Sequence, residues 1–193
     1  MSLNLIMGAR NGAKTPREEN DFYATHPQAV RLFLDKLNQD NIKLTHTILE
    51  PACGKGHMAE VFKEYGYDVV AVDLIDRGYG TTGDFLENGL PITCDTFTNP
   101  PFRLAEDFVY KGLENLEEGF KLGLFLKTRF LESKSRKRLF EEYPPKYIYL
   151  YSERQQCALN GDFETYCKSS GTEFYCWVIW EKDYKGETVL RWI

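Results

Sequence analysis

The segment His46–Leu74 constrains the fold more than any other part of the sequence. It contains a short apolar run ending near Glu50, a glycine-containing turn, a helical pattern with Met58 and Val61 on one face, and the β-branched run Val69–Val72. A strand–helix–strand unit of this kind joins two parallel strands by a right-handed crossover. The sequence therefore predicts an α/β domain built on a mostly parallel sheet.

The rest of the chain continues the alternation of strands and helices. An amphipathic helix with Thr25 as its N-cap is predicted before the unit, and two apolar runs joined by "DYKGE" predict an antiparallel hairpin near the C terminus. Between them the patterns predict a strand ending at Asn99, a helix over Leu104–Leu116, a strand in 121–130, a helix in 132–143 and an apolar run at 146–153. This order predicts a three-layer sandwich around a Rossmann-like sheet.

Composition limits the number of domains and the class of partner. The 193 residues are 42% hydrophobic, which is enough for one sizeable core, so we predict one domain over 21–193 preceded by a flexible polar arm over 1–20. The net charge of −5 provides no overall positive field, and any contact with nucleic acid therefore requires a local basic patch. The charge counts mildly against a pure DNA-binding module.

The cysteines and the hydropathy pattern indicate the compartment. Five cysteines at irregular spacing contain no Cys-x-x-Cys pair, which favours free thiols over disulfides or a metal site. No apolar segment approaches the length of a membrane span or a signal peptide. These features predict a cytoplasmic protein without a metal, and they leave its oligomeric state open.

The turn after the first strand of the unit has the composition of a nucleotide-binding loop. Gly54 and Gly56 let the backbone approach a ligand closely, although the same pattern alone fits an ordinary tight turn equally well. Asp73 ends the next strand about twenty residues on, where an acid accepts hydrogen bonds from a ribose. Glu50 would repel a pyrophosphate but suits a cationic amino group. The combination favours S-adenosylmethionine over NAD.

The segment Thr98–Phe102, "TNPPF", lies at the carboxyl end of another predicted strand. Two adjacent prolines fix two φ angles and remove two donors, so the segment is stiff, and on its own it fits a strand-terminating loop equally well. The Asn99 side-chain oxygen and the Pro100 carbonyl are suited to accept the two N–H groups of an exocyclic amine. Phe102 offers a face for a planar base. We predict Asn99, Pro100, Pro101 and Phe102 as the catalytic residues.

The motifs "LEPACGKGH", "VDL", "GDFL" and "TNPPF", in this order, resemble class I S-adenosylmethionine-dependent methyltransferases that modify amino nitrogens. The resemblance is greatest to N6-adenine DNA methyltransferases and their short phage-encoded relatives. It implies S-adenosylmethionine as cofactor, adenine N6 in DNA as acceptor, and nucleic acid as partner. The cofactor-binding residues that it implies are Tyr23, Thr25, Glu50, Pro51, Ala52, Gly54, Gly56, Asp73, Leu74, Asp84, Phe85 and Asn99.

The resemblance also assigns roles within this set. Asp84 and Phe85 would recognise the adenine ring of the cofactor. Tyr23 and Thr25, together with Phe22, would close over its amino-acid end.

The substrate is less constrained than the cofactor. Lys127, Arg129 and the basic residues of the next helix either neutralise phosphates or form a solvated face balanced by glutamates. The polar segment 154–173 is predicted to be a substrate-facing loop. The chain has no room for the separate target-recognition domain of larger DNA methyltransferases.

Several alternatives therefore stay open. RNA, methylated at guanine N2 or adenine N6, and protein glutamine are the first of these. A NAD-dependent oxidoreductase and a non-catalytic S-adenosylmethionine-binding module are the more remote ones.

Overall fold

The computed structural model describes residues 22–166 and 173–193, so the predicted arm over 1–20 and Cys167 lie outside the described residues. The strands are β1 Tyr23–Thr25, β2 Thr47–Glu50, β3 Asp68–Asp73, β4 Thr81–Thr82, β5 Asp95–Thr98, β6 Lys121–Lys127, β7 Tyr147–Leu150, β8 Cys157–Leu159, β9 Tyr175–Glu181 and β10 Val189–Trp192. The helices are α1 Pro27–Gln39, α2 His57–Glu64, α3 Ala105–Asn115, α4 Lys137–Glu142 and α5 Phe163–Tyr166, and a 3₁₀ turn covers Thr128–Leu131.

Eight strands form one sheet in the order β10-β7-β9-β6-β5-β2-β3-β4. Every neighbouring pair is parallel except those that involve β9, which runs antiparallel to both β6 and β7. The strand order reverses between β2 and β5, and ligands of open α/β sheets bind beside the carboxyl ends of the strands at such a point. The predicted α/β fold with a mostly parallel, Rossmann-like sheet is confirmed.

The antiparallel hairpin near the C terminus is also present, but its two strands are β7 and β9. The predicted pairing of β9 with the last strand is wrong, because β10 pairs in parallel with β7 from Val189↔Tyr147 onward. The burial of the two strands explains the difference. Six consecutive residues of β9 from Tyr175 are buried and need a strand on each side, whereas most of β10 is exposed and suits an edge.

Two hydrophobic clusters cover the two faces of the sheet and define three layers. On one face α1 and α2 pack through Phe33 and Phe62 onto Phe97 and Trp177 of the sheet. On the other face lie the buried side chains of α3 and α4 with those of β6 and β9, which are Ala105, Phe108, Val109, Leu113, Leu122, Leu124, Leu126, Leu139, Cys176, Val178 and Trp180. The sheet is therefore buried between helices over its central strands, as a parallel sheet requires.

A second, two-stranded sheet lies outside the main one and was not predicted. β1 pairs antiparallel with β8, placing Tyr23 opposite Leu159 and Thr25 opposite Cys157. The segment 154–173 therefore contains a strand and the short helix α5 among its described residues. Three-residue strands are too short to show an alternating pattern, which is why neither strand could be predicted from the sequence.

The prediction of Thr25 as the N-cap of the first helix is wrong. Thr25 belongs to β1, and His26 caps α1, its Nδ1 accepting a hydrogen bond from the backbone N–H of Gln28 at 3.2 Å. The prediction failed because the strand continues up to the cap and uses Thr25 for pairing. No helix within the described part of the chain is long and apolar enough to cross a membrane.

Candidate active site

The turn between β2 and α2 is built on two glycines in the left-handed region of backbone space. Gly54 has φ +56° and Gly56, which caps α2, has φ +81°. A Cβ atom added at Gly54 would lie 2.7 Å from the Phe22 ring, and one added at Gly56 would lie 2.4 Å from the Tyr79 ring. The turn therefore needs glycine both for its backbone conformation and for the close approach of two aromatic rings.

Replacing Gly56 by alanine should lower the free energy of unfolding by about 1–3 kcal/mol from the positive φ alone, with an added loss from the displaced Tyr79 ring. Gly66→Ala is the matched control, because Gly66 also has a positive φ but has open space where its Cβ would be. Urea unfolding of both variants measures the difference. Equal losses in the two variants would show that the Tyr79 contact contributes nothing.

Asp73 ties the glycine turn to the end of β3. Its Oδ2 accepts a hydrogen bond from the Gly54 N–H at 2.7 Å, and its Oδ1 accepts one from the Ile75 N–H at 3.0 Å. The guanidinium Nε of Arg77 lies 3.9 Å from Oδ1. Asp73, which is predicted to bind the ribose of the cofactor, therefore also fixes the shape of the glycine turn.

Glu50 is a buried acid at the carboxyl end of β2. Glu50 is only 2% exposed, and no described residue donates a hydrogen bond to its Oε2. Burial raises the pKa of this carboxyl well above its usual value, against a smaller lowering by a backbone hydrogen bond from Ala59, and the nearby charge of Asp73 adds a still smaller increase. A buried carboxyl oxygen without a donor is the kind of group that a ligand completes.

The other predicted cofactor residues differ in their accessibility. Pro51 is buried and Ala52 partly buried just after β2, while Leu74 is 51% exposed just after β3. Asp84 is exposed, and its Oδ1 accepts a hydrogen bond from the Leu86 N–H. Phe85 is only 5% exposed and packs on Phe108 in the core, so little of its ring is open to a ligand.

Asn99 directly follows β5, and its side-chain amide has a fixed orientation. Its Nδ2 donates hydrogen bonds to the Tyr23 carbonyl at 2.8 Å and to the Thr25 hydroxyl at 3.0 Å. A backbone carbonyl can only accept, so it selects the nitrogen and not the oxygen of the amide. The Asn99 Oδ1 is buried and has no hydrogen-bond partner among the described residues. The small β1–β8 sheet therefore holds an asparagine whose acceptor oxygen is unused.

This contact gives Tyr23 and Thr25 a position that sequence reasoning did not foresee. They were predicted to close over the amino-acid end of a cofactor, and the structure places them on the amide of Asn99. Phe22, the neighbouring residue, lies on Gly54 of the glycine turn. The segment thus links the two predicted halves of the site.

Phe102 lies half-buried where the proline turn leads into α3. The turn is closed by a hydrogen bond from the Leu104 N–H to the Pro101 carbonyl at 2.8 Å. The ring centroids of Phe102 and Tyr23 are 6.1 Å apart, and the Lys127 ammonium lies 4.7 Å from the Phe102 centroid. An open cleft of about 350 Å³ extends from Phe102 along Lys127, Arg129, Phe130, Glu132 and Arg136.

No group of three or more His, Cys, Asp or Glu side chains within 22–166 and 173–193 is arranged to hold a metal ion. None of the four cysteines described there forms a disulfide; they are Cys53, Cys94, Cys157 and Cys176. Burial raises the pKa of Cys53 to about 12, so this thiol beside the glycine turn stays protonated at neutral pH.

Comparisons with known proteins identify the fold. No protein-family model and no curated sequence matches the chain. A type I restriction-modification methyltransferase subunit from Streptococcus thermophilus superimposes with a TM-score of 0.60 at 14% identity, over 89% of this chain and 47% of its own. An S-adenosylmethionine-dependent O-methyltransferase from Thermotoga maritima superimposes with a TM-score of 0.56 at 16% identity. The match covers 86% of this chain and 69% of that one.

A protein described as a class I S-adenosylmethionine-dependent methyltransferase from Listeria monocytogenes gives a TM-score of 0.59 at 15% identity. The match covers 88% of this chain and 65% of that one, so the chain is shorter than both this protein and the restriction-modification subunit. At such identities the likeness establishes the fold alone. The chain has the Rossmann-like fold of class I methyltransferases.

Proposed function

We propose that the protein is a S-adenosylmethionine-dependent methyltransferase that acts on an amino nitrogen, adenine N6 in DNA. The observation that carries this proposal is the Asn99 amide, whose nitrogen is held by Tyr23 and Thr25 while its oxygen receives no hydrogen bond from any residue that the structure describes. An acceptor in this state, at the carboxyl edge of the sheet and followed by two prolines, suits an incoming N–H group. The sequence motifs and the fold of the structural neighbours support the same class of reaction.

The residues beside the switch point fit the proposed cofactor. A Cβ atom at Gly54 or Gly56 would clash with the ring of Phe22 or Tyr79, so only glycine lets the backbone form this turn. No described residue donates a hydrogen bond to Glu50 Oε2, which is therefore open to an ammonium. Each Asp73 oxygen accepts one backbone N–H bond and keeps a further lone pair for a ribose hydroxyl. Leu74 exposes apolar surface directly beyond Asp73, which suits a face of the cofactor's adenine. When bound, the cofactor supplies a methyl group on a sulfonium, which needs no metal to be transferred.

At the acceptor side the chain would supply position and polarity. The lone pair of an exocyclic amine on adenine is conjugated into the ring and is a weak nucleophile. Asn99 Oδ1 and the Pro100 carbonyl, each accepting one N–H bond, would localise that lone pair and direct it. Tyr23 and Thr25 hold the Asn99 amide, and the prolines stiffen the backbone that carries the Pro100 carbonyl, so both acceptors would be fixed in advance. Preorganisation of this kind is usually the largest catalytic contribution.

DNA is favoured as substrate by two observations. The motif order resembles N6-adenine DNA methyltransferases, and one structural neighbour is a restriction-modification methyltransferase subunit. Phe102 presents a partly exposed aromatic ring beside Asn99, on which a base taken out of the duplex can stack for about 1–3 kcal/mol. The same fold also includes an O-methyltransferase, so the acceptor must be determined by experiment.

The test is transfer of labelled methyl from S-adenosylmethionine to unmethylated DNA, with total RNA and a protein extract in parallel. Digestion of the DNA and chromatography of the nucleosides should place the label in N6-methyladenine. Label in RNA or protein alone would refute DNA as the substrate. Label on an oxygen of any acceptor would refute the role given to Asn99.

Thr25→Val should lower kcat by up to about tenfold and leave KM for DNA unchanged, because one of the two hydrogen bonds that orient the Asn99 amide is lost. Thr25→Ser keeps the hydroxyl and should restore kcat. Thermal unfolding of both variants separates this effect from a loss of packing, since Thr25 is buried. A serine variant as slow as the valine variant would contradict the positioning role.

A further inference from the structure

Two cations that line the cleft beside Phe102, Lys127 and Arg129, are paired with one carboxylate of the protein itself, that of Glu173. The Glu173 carboxylate lies 2.9 Å from the Lys127 ammonium and 3.9 Å from the Arg129 guanidinium. Lys127 is the last residue of β6 and also lies over the Phe102 ring at 4.7 Å. The carboxylate therefore occupies a position where two positive charges and an aromatic face meet.

The charge and shape of this cleft suit a segment of nucleic acid next to the target base. The described lining of the cleft has three cations, Lys127, Arg129 and Arg136, and one carboxylate, Glu132, and Glu173 pairs with two of these cations. The cleft is thus locally basic although the whole chain carries a net charge of −5. Arg129 is 67% exposed and can move toward a ligand, whereas Arg136 is held by the carbonyls of Phe130 and Arg129. A local basic patch on an acidic protein is the arrangement that a polyanion requires.

We propose that Lys127 and Arg129 bind a backbone phosphate flanking the target nucleotide, and that Glu173 occupies this phosphate site when no nucleic acid is bound. This inference rests on the proposed function and adds to it the strand-binding site. A phosphate would replace the Glu173 carboxylate between the same two cations and draw Lys127 off the Phe102 ring. The ring face would then be open to a base.

The geometry makes Glu173 a competitor of the substrate. The Lys127 hydrogen bond lowers the pKa of Glu173, with a smaller contribution from the charge of Arg129, so the carboxylate is ionised at neutral pH. Removing its charge should therefore tighten the binding of a polyanion, whereas removing Arg129 should weaken it. A residue pair with a merely structural role would weaken binding when either member is lost.

The experiment measures Kd for a fluorescein-labelled single-stranded 12-mer of DNA by anisotropy, from low to moderate salt. We expect Arg129→Gln to weaken binding about five- to tenfold and to reduce the salt slope by about 1, as loss of one phosphate contact does. Glu173→Gln should lower Kd on the order of several-fold, because the phosphate no longer competes with a carboxylate for Lys127 and Arg129. Arg138→Gln and Glu142→Gln are the matched controls, because these two residues form an exposed pair at 2.6 Å outside the lining of the cleft.

Each outcome bears on the proposal. If the two cleft variants shift Kd no further than the two control variants, or in the same direction as each other, the phosphate site is overturned. A polyglutamate peptide bound as tightly as the 12-mer would identify the cleft as a site for acidic protein and would equally overturn it. Failure of wild-type protein to bind DNA or RNA would do the same.

The proposed function fails separately from the phosphate site. Opposite shifts in Kd together with methyl transfer only to protein would leave the cleft in place and refute the acceptor. Methyl transfer to adenine N6 with unchanged Kd values in both cleft variants would support the acceptor and refute the phosphate site.

Discussion

Asn99→Ala should reduce kcat for methyl transfer by about 10²–10³-fold, the loss expected when one preorganised polar group is removed from a catalytic site. Among the described residues, the Asn99 side chain hydrogen-bonds to Tyr23 and Thr25 of β1 and to Cys157 of β8, and to none of the glycine turn. The Kd for S-adenosylmethionine should therefore stay within about twofold of wild type, since uncoupled sites behave additively. Single-turnover transfer and calorimetric titration of the cofactor measure the two quantities.

Two further asparagine variants separate the loss of the Asn99 amide from other effects. Asn38→Ala removes an exposed amide from α1 and should leave both quantities unchanged. Asn99→Asp keeps an acceptor oxygen but places a carboxylate oxygen against the Tyr23 carbonyl, so it should be slow but faster than the alanine variant. Wild-type kcat in Asn99→Ala would remove the proposed mechanism, and a parallel loss of cofactor affinity would indicate a binding role.

Much of the fold could be predicted because long elements carry long patterns. The helix spacing in α2 and the apolar runs of β3 and β6 are readable within one element and need no knowledge of its neighbours. The pairing of β9 is a tertiary property. β9 pairs with β6 and β7 because it is buried and needs a strand on each side. A turn sequence between β9 and the next strand contains no information about that burial.

The candidate site shows the same division. Glu50, Asp73 and Asn99 could be predicted as candidates because each stands at the carboxyl end of a recognisable strand. The contact of Thr25 with Asn99 and that of Glu173 with Lys127 join residues 74 and 46 positions apart in the chain. No periodic signal marks such pairs, because β1 and β8 are three residues long and Glu173 precedes β9 in an irregular segment.

The buried carboxyl of Glu50 couples the stability of the ligand-free protein to pH. Its pKa in the folded protein is raised by burial above the unfolded value of 4.5, so the folded state keeps a proton that the unfolded state has lost. The contribution of Glu50 to stability is thus most favourable below pH 4.5, and it falls as pH rises from there through the folded pKa. An ammonium that pairs with the carboxylate favours the ionised form and opposes this trend.

Glu50→Gln should therefore change stability and affinity in opposite directions. Near pH 7.5 wild type must either take up a proton or bury the ionised carboxylate when it folds, and the neutral amide avoids both costs, so the ligand-free variant should unfold at a higher temperature than wild type. Its Kd for S-adenosylmethionine should rise at least about 30-fold, corresponding to about 2 kcal/mol for a lost buried charge pair. Between pH 5.5 and 7.5 wild-type affinity should increase with pH, as the carboxyl gives up its proton to bind the ammonium, and the variant should lose this dependence.

Thermal unfolding and calorimetric titration across this pH range test both halves of the prediction. Glu64→Gln is the control, because Glu64 is exposed and paired with Arg31 on the outside of α2, and it should change neither quantity by more than the loss of a surface ion pair. A Glu50→Gln protein that binds the cofactor as tightly as wild type would show that the unpartnered oxygen faces no ammonium. Unchanged stability with weakened binding would instead contradict the raised pKa of Glu50 in the ligand-free protein and leave only its role in binding the ammonium.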